Sequence, residues 1–165
     1  MVVRLLLCGV IVASTTLVSR TYSGRLTGRI DQLKLIERML AEVQIYLDFS
    51  AYTVTEILDR LRANPALSAL SFLECSPSPY TAREDIDRAV RGWESLLSEE
   101  ETEHLRGFFR ELGTSGVDGQ MELVRLYREQ FSAARERLVL ASAPKLRLYN
   151  ALGVLSGVFI SVMII

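Results

Sequence analysis

Glu101 and His104 stand three residues apart, the helical spacing that would put a carboxylate and an imidazole on one face as half of a di-iron site. Such a centre needs two pairs, and the chain's one histidine leaves the second without its imidazole. The pair therefore reads as exposed residues in the first turn of a helix. Gly113, Gly116 and Gly119 could cradle a phosphate, but no Gly-Lys-Ser/Thr follows them, so here glycine reverses the chain. Cys8 and Cys75 show no metal or disulfide spacing and read as free thiols; Leu7 stands where a lipobox would need a small residue. Trp93, Phe108, Phe109 and Phe131 could line a ligand patch, yet each falls on an apolar helical stripe and is expected in the core. We expect no catalytic residue, no cofactor and no metal, hence a protein that is not an enzyme.

The elements that carry these residues read as helices throughout. From Leu26, apolar positions Ile30, Leu33, Ile36, Leu40, Val43 and Leu47 recur at steps of three and four, one face of a long helix. Val54, Ile57, Leu58 and Leu61 predict a second, closed before Pro65. A short apolar stretch, Ala66 to Leu73, leads to a proline-marked loop from Cys75 to Tyr80. Thr81 with Glu84 has the form of a capping box ahead of the stripe Ile86, Val90, Trp93 and Leu97. Ser98 with Glu101 repeats it ahead of Leu105, Phe108, Phe109 and Leu112, and Gly113 is the expected stop. Met121, Val124, Tyr127, Phe131, Ala134, Leu138 and Ala141 form a last long stripe, with a kink expected at Pro144. No segment alternates as a strand would. The fold class is all-α, an antiparallel helical bundle flanked by an N-terminal and a C-terminal transmembrane helix.

The flanking spans rest on two apolar ends. Val2 to Val18 is broken only by Arg4 and covers about 25 Å as a helix, slightly under the roughly 30 Å of a hydrocarbon core. Tyr149 to Ile165 carries no charged side chain. A composition of 49% hydrophobic and 24% charged residues agrees with membrane ends around a wet middle. The expected organisation is a transmembrane helix over 1–20, a cytoplasmic bundle over 21–148 and a transmembrane helix over 149–165. A cleaved signal peptide is the rival reading of the first segment, with Val12 and Ser14 at the cleavage site. Small residues at helical spacing, Gly9 and Ala13 in one span and Gly153, Gly157 and Ser161 in the other, would let helix backbones approach closely in lipid. Arg20, Arg25, Arg29, Lys145 and Arg147 flank the spans on the bundle side, which puts the bundle in the cytoplasm. The same five would form a basic collar on anionic membrane lipid. A formal net charge of −1 argues against nucleic acid as a partner.

Phe109 to Gln120, reading Phe-Arg-Glu-Leu-Gly-Thr-Ser-Gly-Val-Asp-Gly-Gln, resembles the Leu-Gly-x-Ser-Asp-x-x-x-Gln turn of the stage III sporulation protein AB family. Leu112, Gly113, Ser115 and Gln120 match that turn, and Gly116 stands where its aspartate belongs. The ending Leu148 to Ile165, with Tyr149, Leu152, Gly153, Val154, Leu155 and Gly157, is similar to the family's terminal membrane segment, and Trp93 corresponds to its tryptophan before the turn. Where the family shows Leu-Glu-x-Glu-Ile-x-Tyr-Gly, this chain has Val43 to Ser50 and lacks both acidic positions.

The resemblance implies a scaffold without catalysis in the secretion-like channel between mother cell and forespore during endospore formation. It implies a place in the mother-cell membrane around the forespore, likeness to the F-type platform protein of type II secretion, and contact with other channel subunits and the ATPase of the apparatus. Formation of a homo-oligomer is left open. The alternative is a membrane-tethered regulator or sensor whose bundle binds a soluble partner or ligand.

Overall fold

The computed structural model describes residues 24–49, 52–75 and 81–142 with their side chains, and the helical backbone alone over 2–23 and 143–164. Among the described residues five α-helices follow in order: α1 (Val2–Phe49), α2 (Val54–Ala63), α3 (Ala82–Gly92), α4 (Glu99–Glu111) and α5 (Val117–Ile164). Two short 3-10 turns, Pro65–Leu67 and Ser71–Glu74, lie between α2 and α3. Among the described residues there is no strand, so the all-α class stands.

The chain divides into two compact units, one of Met1–Gly28 with Arg137–Ile165 and one of Arg29–Glu136. In the first unit the backbone is helical from Val2 and as far as Ile164. Among the described residues no helix is long and apolar enough to cross a membrane. The side chains of the expected spans 1–20 and 149–165, and of the expected kink at Pro144, lie outside the described residues.

The second unit holds the core. Leu33, Ile36, Leu40, Val43 and Leu47 of α1 are buried as the stripe requires, joined by Met39. A stripe this regular gains roughly 1.5 to 3 kcal/mol of transfer free energy for each large side chain it buries. Thr53 caps α2 through a complete capping box with Glu56. Asn64 ends that helix and accepts the Ala66 amide on its side-chain oxygen at 3.0 Å, starting the first 3-10 turn. The apolar stretch that follows packs Leu67, Leu70, Phe72 and Leu73 inward without forming an α-helix.

Four ring contacts then form a chain, three of them between separate elements and one within α4. Trp93 meets Phe72 at 5.0 Å, Phe72 meets Phe109 at 5.9 Å, Phe109 meets Phe108 at 5.1 Å, and Phe108 meets Tyr127 at 5.6 Å between centroids. Tilted and edge-on rings of this kind add to the gain from burial. Gly107 makes room for the last link, since a Cβ there would lie 2.7 Å from the Tyr127 hydroxyl oxygen.

Local expectations fail at three places. Thr81 precedes α3, but no side-chain bond caps the helix; its hydroxyl donates to Asp85 at 2.7 Å. The stripe after it does not run on to Leu97, because α3 stops at Gly92 and Trp93 turns extended to reach Phe72. Glycine is a poor helix residue, and the indole gains more by stacking than by continuing the turn. On α5, Ala141 is exposed and Ser142 is buried, its hydroxyl donating to the Val139 carbonyl at 2.8 Å.

Candidate functional site

Glu101 is not the exposed first-turn residue expected of it. It is 5% exposed, the only charged residue buried to that degree among the described residues. Arg29 of α1 approaches it side-on, donating from Nε to Oε2 and from Nη2 to Oε1, both at 2.9 Å. The Ser98 amide also donates to Oε2 at 2.8 Å, while the Ser98 hydroxyl accepts the Glu101 amide at 3.2 Å. One carboxylate thus closes the capping box of α4 and pins α4 to α1. Burial pushes its carboxyl pKa up, but the Arg29 and Ser98 hydrogen bonds together outweigh that and hold it below the ordinary range. A carboxylate so occupied must break its bonds before it can take a proton from a substrate. His104, one turn on, is half-buried. Among the described residues no three of His, Cys, Asp and Glu gather as a metal site.

The family-type turn is built as a closed unit. Leu112 is fully buried and its carbonyl accepts Arg83 Nε at 3.2 Å. Gly113 has a φ of +77°, and a Cβ on it would lie 2.4 Å from Val54 Cγ2, so glycine is required twice over. The Ser115 carbonyl accepts the Gln120 side-chain amide at 2.9 Å, and the Gln120 backbone amide donates to Gly116. Gly119 lets the Ser115 side chain fold over the start of α5, with its Oγ 2.8 Å from where a Cβ would be. The arrangement reverses the chain from α4 into α5.

Beside the turn, α3 and α4 are laced by charge. Arg106 donates to Asp87 at 2.7 and 3.3 Å and also pairs with Glu103, and Arg91 reaches Asp87 from one turn on. The bonds from Arg106 are the main reason the Asp87 carboxyl is held below its ordinary pKa. Across the bundle, Arg135 of α5 donates to Glu37 of α1 at 2.7 Å and Arg128 to Gln44 at 3.3 Å. Arg60 lies over the rings of Tyr52 and Tyr46, 4.2 and 5.7 Å from their centroids. Cys75 is a free thiol whose pKa burial raises, which disfavours the thiolate.

The nominated residues thus fall into separate places. Leu112, Gly113, Ser115 and Gln120 come together in the turn. Of the collar, Arg25 is exposed and Arg29 is committed to Glu101, while the side chains of Arg20, Lys145 and Arg147 lie outside the described residues. Gly9, Ala13, Gly153, Gly157 and Ser161, the small residues of the spans, lie outside them as well, as does Cys8. Residue-by-residue reading missed the Arg29–Glu101 and Arg106–Asp87 pairs and the place of Phe72 between Trp93 and Phe109. The one available signal was Glu101 itself, an N3 glutamate already marked by its capping box.

Compared with known proteins, residues 4–165 match the family model described as stage III sporulation protein AB. No curated protein and no solved structure matches the chain.

Proposed function

We propose, on the premise that the chain belongs to the stage III sporulation protein AB family and so has a role in stage III of sporulation, that it is a membrane-anchored scaffold of a secretion-like channel. The observation that carries this reading is the reach of the match, which takes in both apolar ends along with the helical bundle between them. The role is assembly without catalysis. In support of that, Glu101, the buried acid, is fully engaged by Arg29 and Ser98. Rigid ties between α1, α4 and α5 suit a part that must hold partners at fixed positions.

On this reading the apolar ends sit in the mother-cell membrane around the forespore, the bundle faces the cytoplasm, and the basic residues that flank the ends touch anionic lipid. The partners are other channel subunits and the ATPase of the same apparatus, with no nucleic acid. The test is deletion of the gene in a spore former. Development should stop after engulfment and resume when the full chain is supplied again; normal spore yield without it would overturn the proposal.

A further inference from the structure

The usual partner of Arg60 is taken. Glu56, one turn back on α2, has the spacing of a helical salt bridge, but its carboxylate is committed to Thr53, accepting the amide and the hydroxyl at 2.8 Å each. Asp59, the other acid of α2, accepts from Arg62 at 2.9 Å, and Glu42 on α1 takes the Asn64 side-chain amide at 3.3 Å. The Arg60 guanidinium lies instead against tyrosine faces, 4.2 Å from the Tyr52 centroid and 5.7 Å from that of Tyr46, whose rings meet edge to face at 6.3 Å. A ring under the guanidinium plane holds it by the π face and leaves the N–H donors at its edge open. Arg60 is exposed, and among the described residues it enters no ion pair and no hydrogen bond. Beside Tyr46 the end of α1 is apolar and uncovered. Ile45 is 56% exposed and Phe49 87%, four residues apart and so on one face, with Phe49 three residues after Tyr46. Single apolar side chains on a surface need no explanation, but two of them with two tyrosines around an unpaired arginine have the composition of an interface centre.

We propose that Arg60, Tyr46, Tyr52 and Phe49 form a docking site for a segment of another protein that carries an aspartate or glutamate beside an apolar side chain. The carboxylate takes the edge donors of Arg60, a fork that matches its two oxygens, and the apolar neighbour covers Phe49. The charge already present selects a carboxylate over a phosphate. Glu42 and Glu56 both stand close by: burial and then Glu42 raise the Tyr46 hydroxyl, while the Thr53 bonds and then Arg60 lower the Glu56 carboxyl. A doubly charged phosphate is repelled by these acids about twice as strongly as a carboxylate. Arg60 is held on the rings before anything binds, so it loses less rotamer freedom on docking. The site stands on the side chains around the turn from α1 to α2 and does not depend on the channel role.

The experiment uses the full chain in nanodiscs of neutral phosphatidylcholine and a panel of short, end-blocked, fluorescent peptides that place Glu next to Leu or Phe, with binding read by anisotropy. At least one should bind with a dissociation constant on the order of 0.1 mM, and its Gln counterpart at least about tenfold more weakly. R60Q should bind the Glu and Gln peptides alike, R60K should keep part of the preference, and F49A should weaken both while leaving their ratio unchanged. The ratio is read within each variant, so a variant that is merely less stable does not imitate the result. No binding of any Glu peptide would overturn the proposal, as would an R60Q chain that still prefers Glu or a phosphoserine peptide that binds more tightly than the Glu one. A labelled second copy held through Arg60 more tightly than every peptide would overturn the choice of partner.

Discussion

Arg29 and Glu101, 72 residues apart in sequence, meet through two hydrogen bonds of 2.9 Å, and the carboxylate they share with Ser98 also caps α4. A buried carboxylate left without its cation costs far more than a surface pair gains, on the order of 3 to 5 kcal/mol. Arg29→Ala should therefore destabilise the bundle by about 3 kcal/mol in urea unfolding. The double variant with Glu101→Ala should cost clearly less than the sum of the two single changes, because both remove one interaction. Additive losses would show that the two side chains act independently.

The same pair sets an acid limb. Glu101 and Asp87 are both held below their ordinary values of 4.5 and 3.8. A depressed carboxyl stabilises the fold fully above its unfolded value, and that contribution disappears as pH falls through the lowered folded value. Unfolding free energy should be level from about pH 7 to about pH 5.5 and decline below about pH 4.5. E101Q should make the decline shallower. A stability that rises on acidification would contradict the assignment.

Gly113 admits almost no substitution. An alanine there must hold φ near +77° and meet Val54 Cγ2, so G113A should cost about 2 to 4 kcal/mol. V54A should return part of that loss by removing the clash while leaving the backbone strain. Equal stability of G113A and the natural chain, read from thermal melts, would refute the close approach.

Phe72 links Trp93 to the rings of α4 and is 2% exposed. F72A should cost about 3 to 5 kcal/mol and leave the chain's single tryptophan facing a void. Its fluorescence should shift to longer wavelength in the still-folded variant. An unshifted spectrum would mean that Trp93 draws its surroundings from elsewhere.

What was legible in the residues was local. The steps of three and four from Leu33 to Leu47, the Ser98 capping box and the stop at Gly113 are periodicities and caps, each decided within a few positions, and each is found. What was not legible depends on which surfaces meet. Nothing near Arg29 distinguishes a lipid-facing arginine from one that clasps Glu101 across the bundle. Trp93 has the spacing of a helical stripe, and only the nearness of Phe72 takes it out of the helix. Thr81 has the letters of a capping box, but Asp85 competes for its hydroxyl.

The chain belongs to a family that serves stage III of sporulation, and the proposed part of its role is that it does so from within a membrane. Its most direct measurement is flotation of membranes from sporulating cells after an alkaline wash, with the full chain followed by a tag placed after Ser78. The chain should rise with the bilayer at its full length, and the tag should be digested by protease only after the cytoplasmic side is opened. A chain left in the soluble fraction, or one that has lost its first twenty residues, would contradict it.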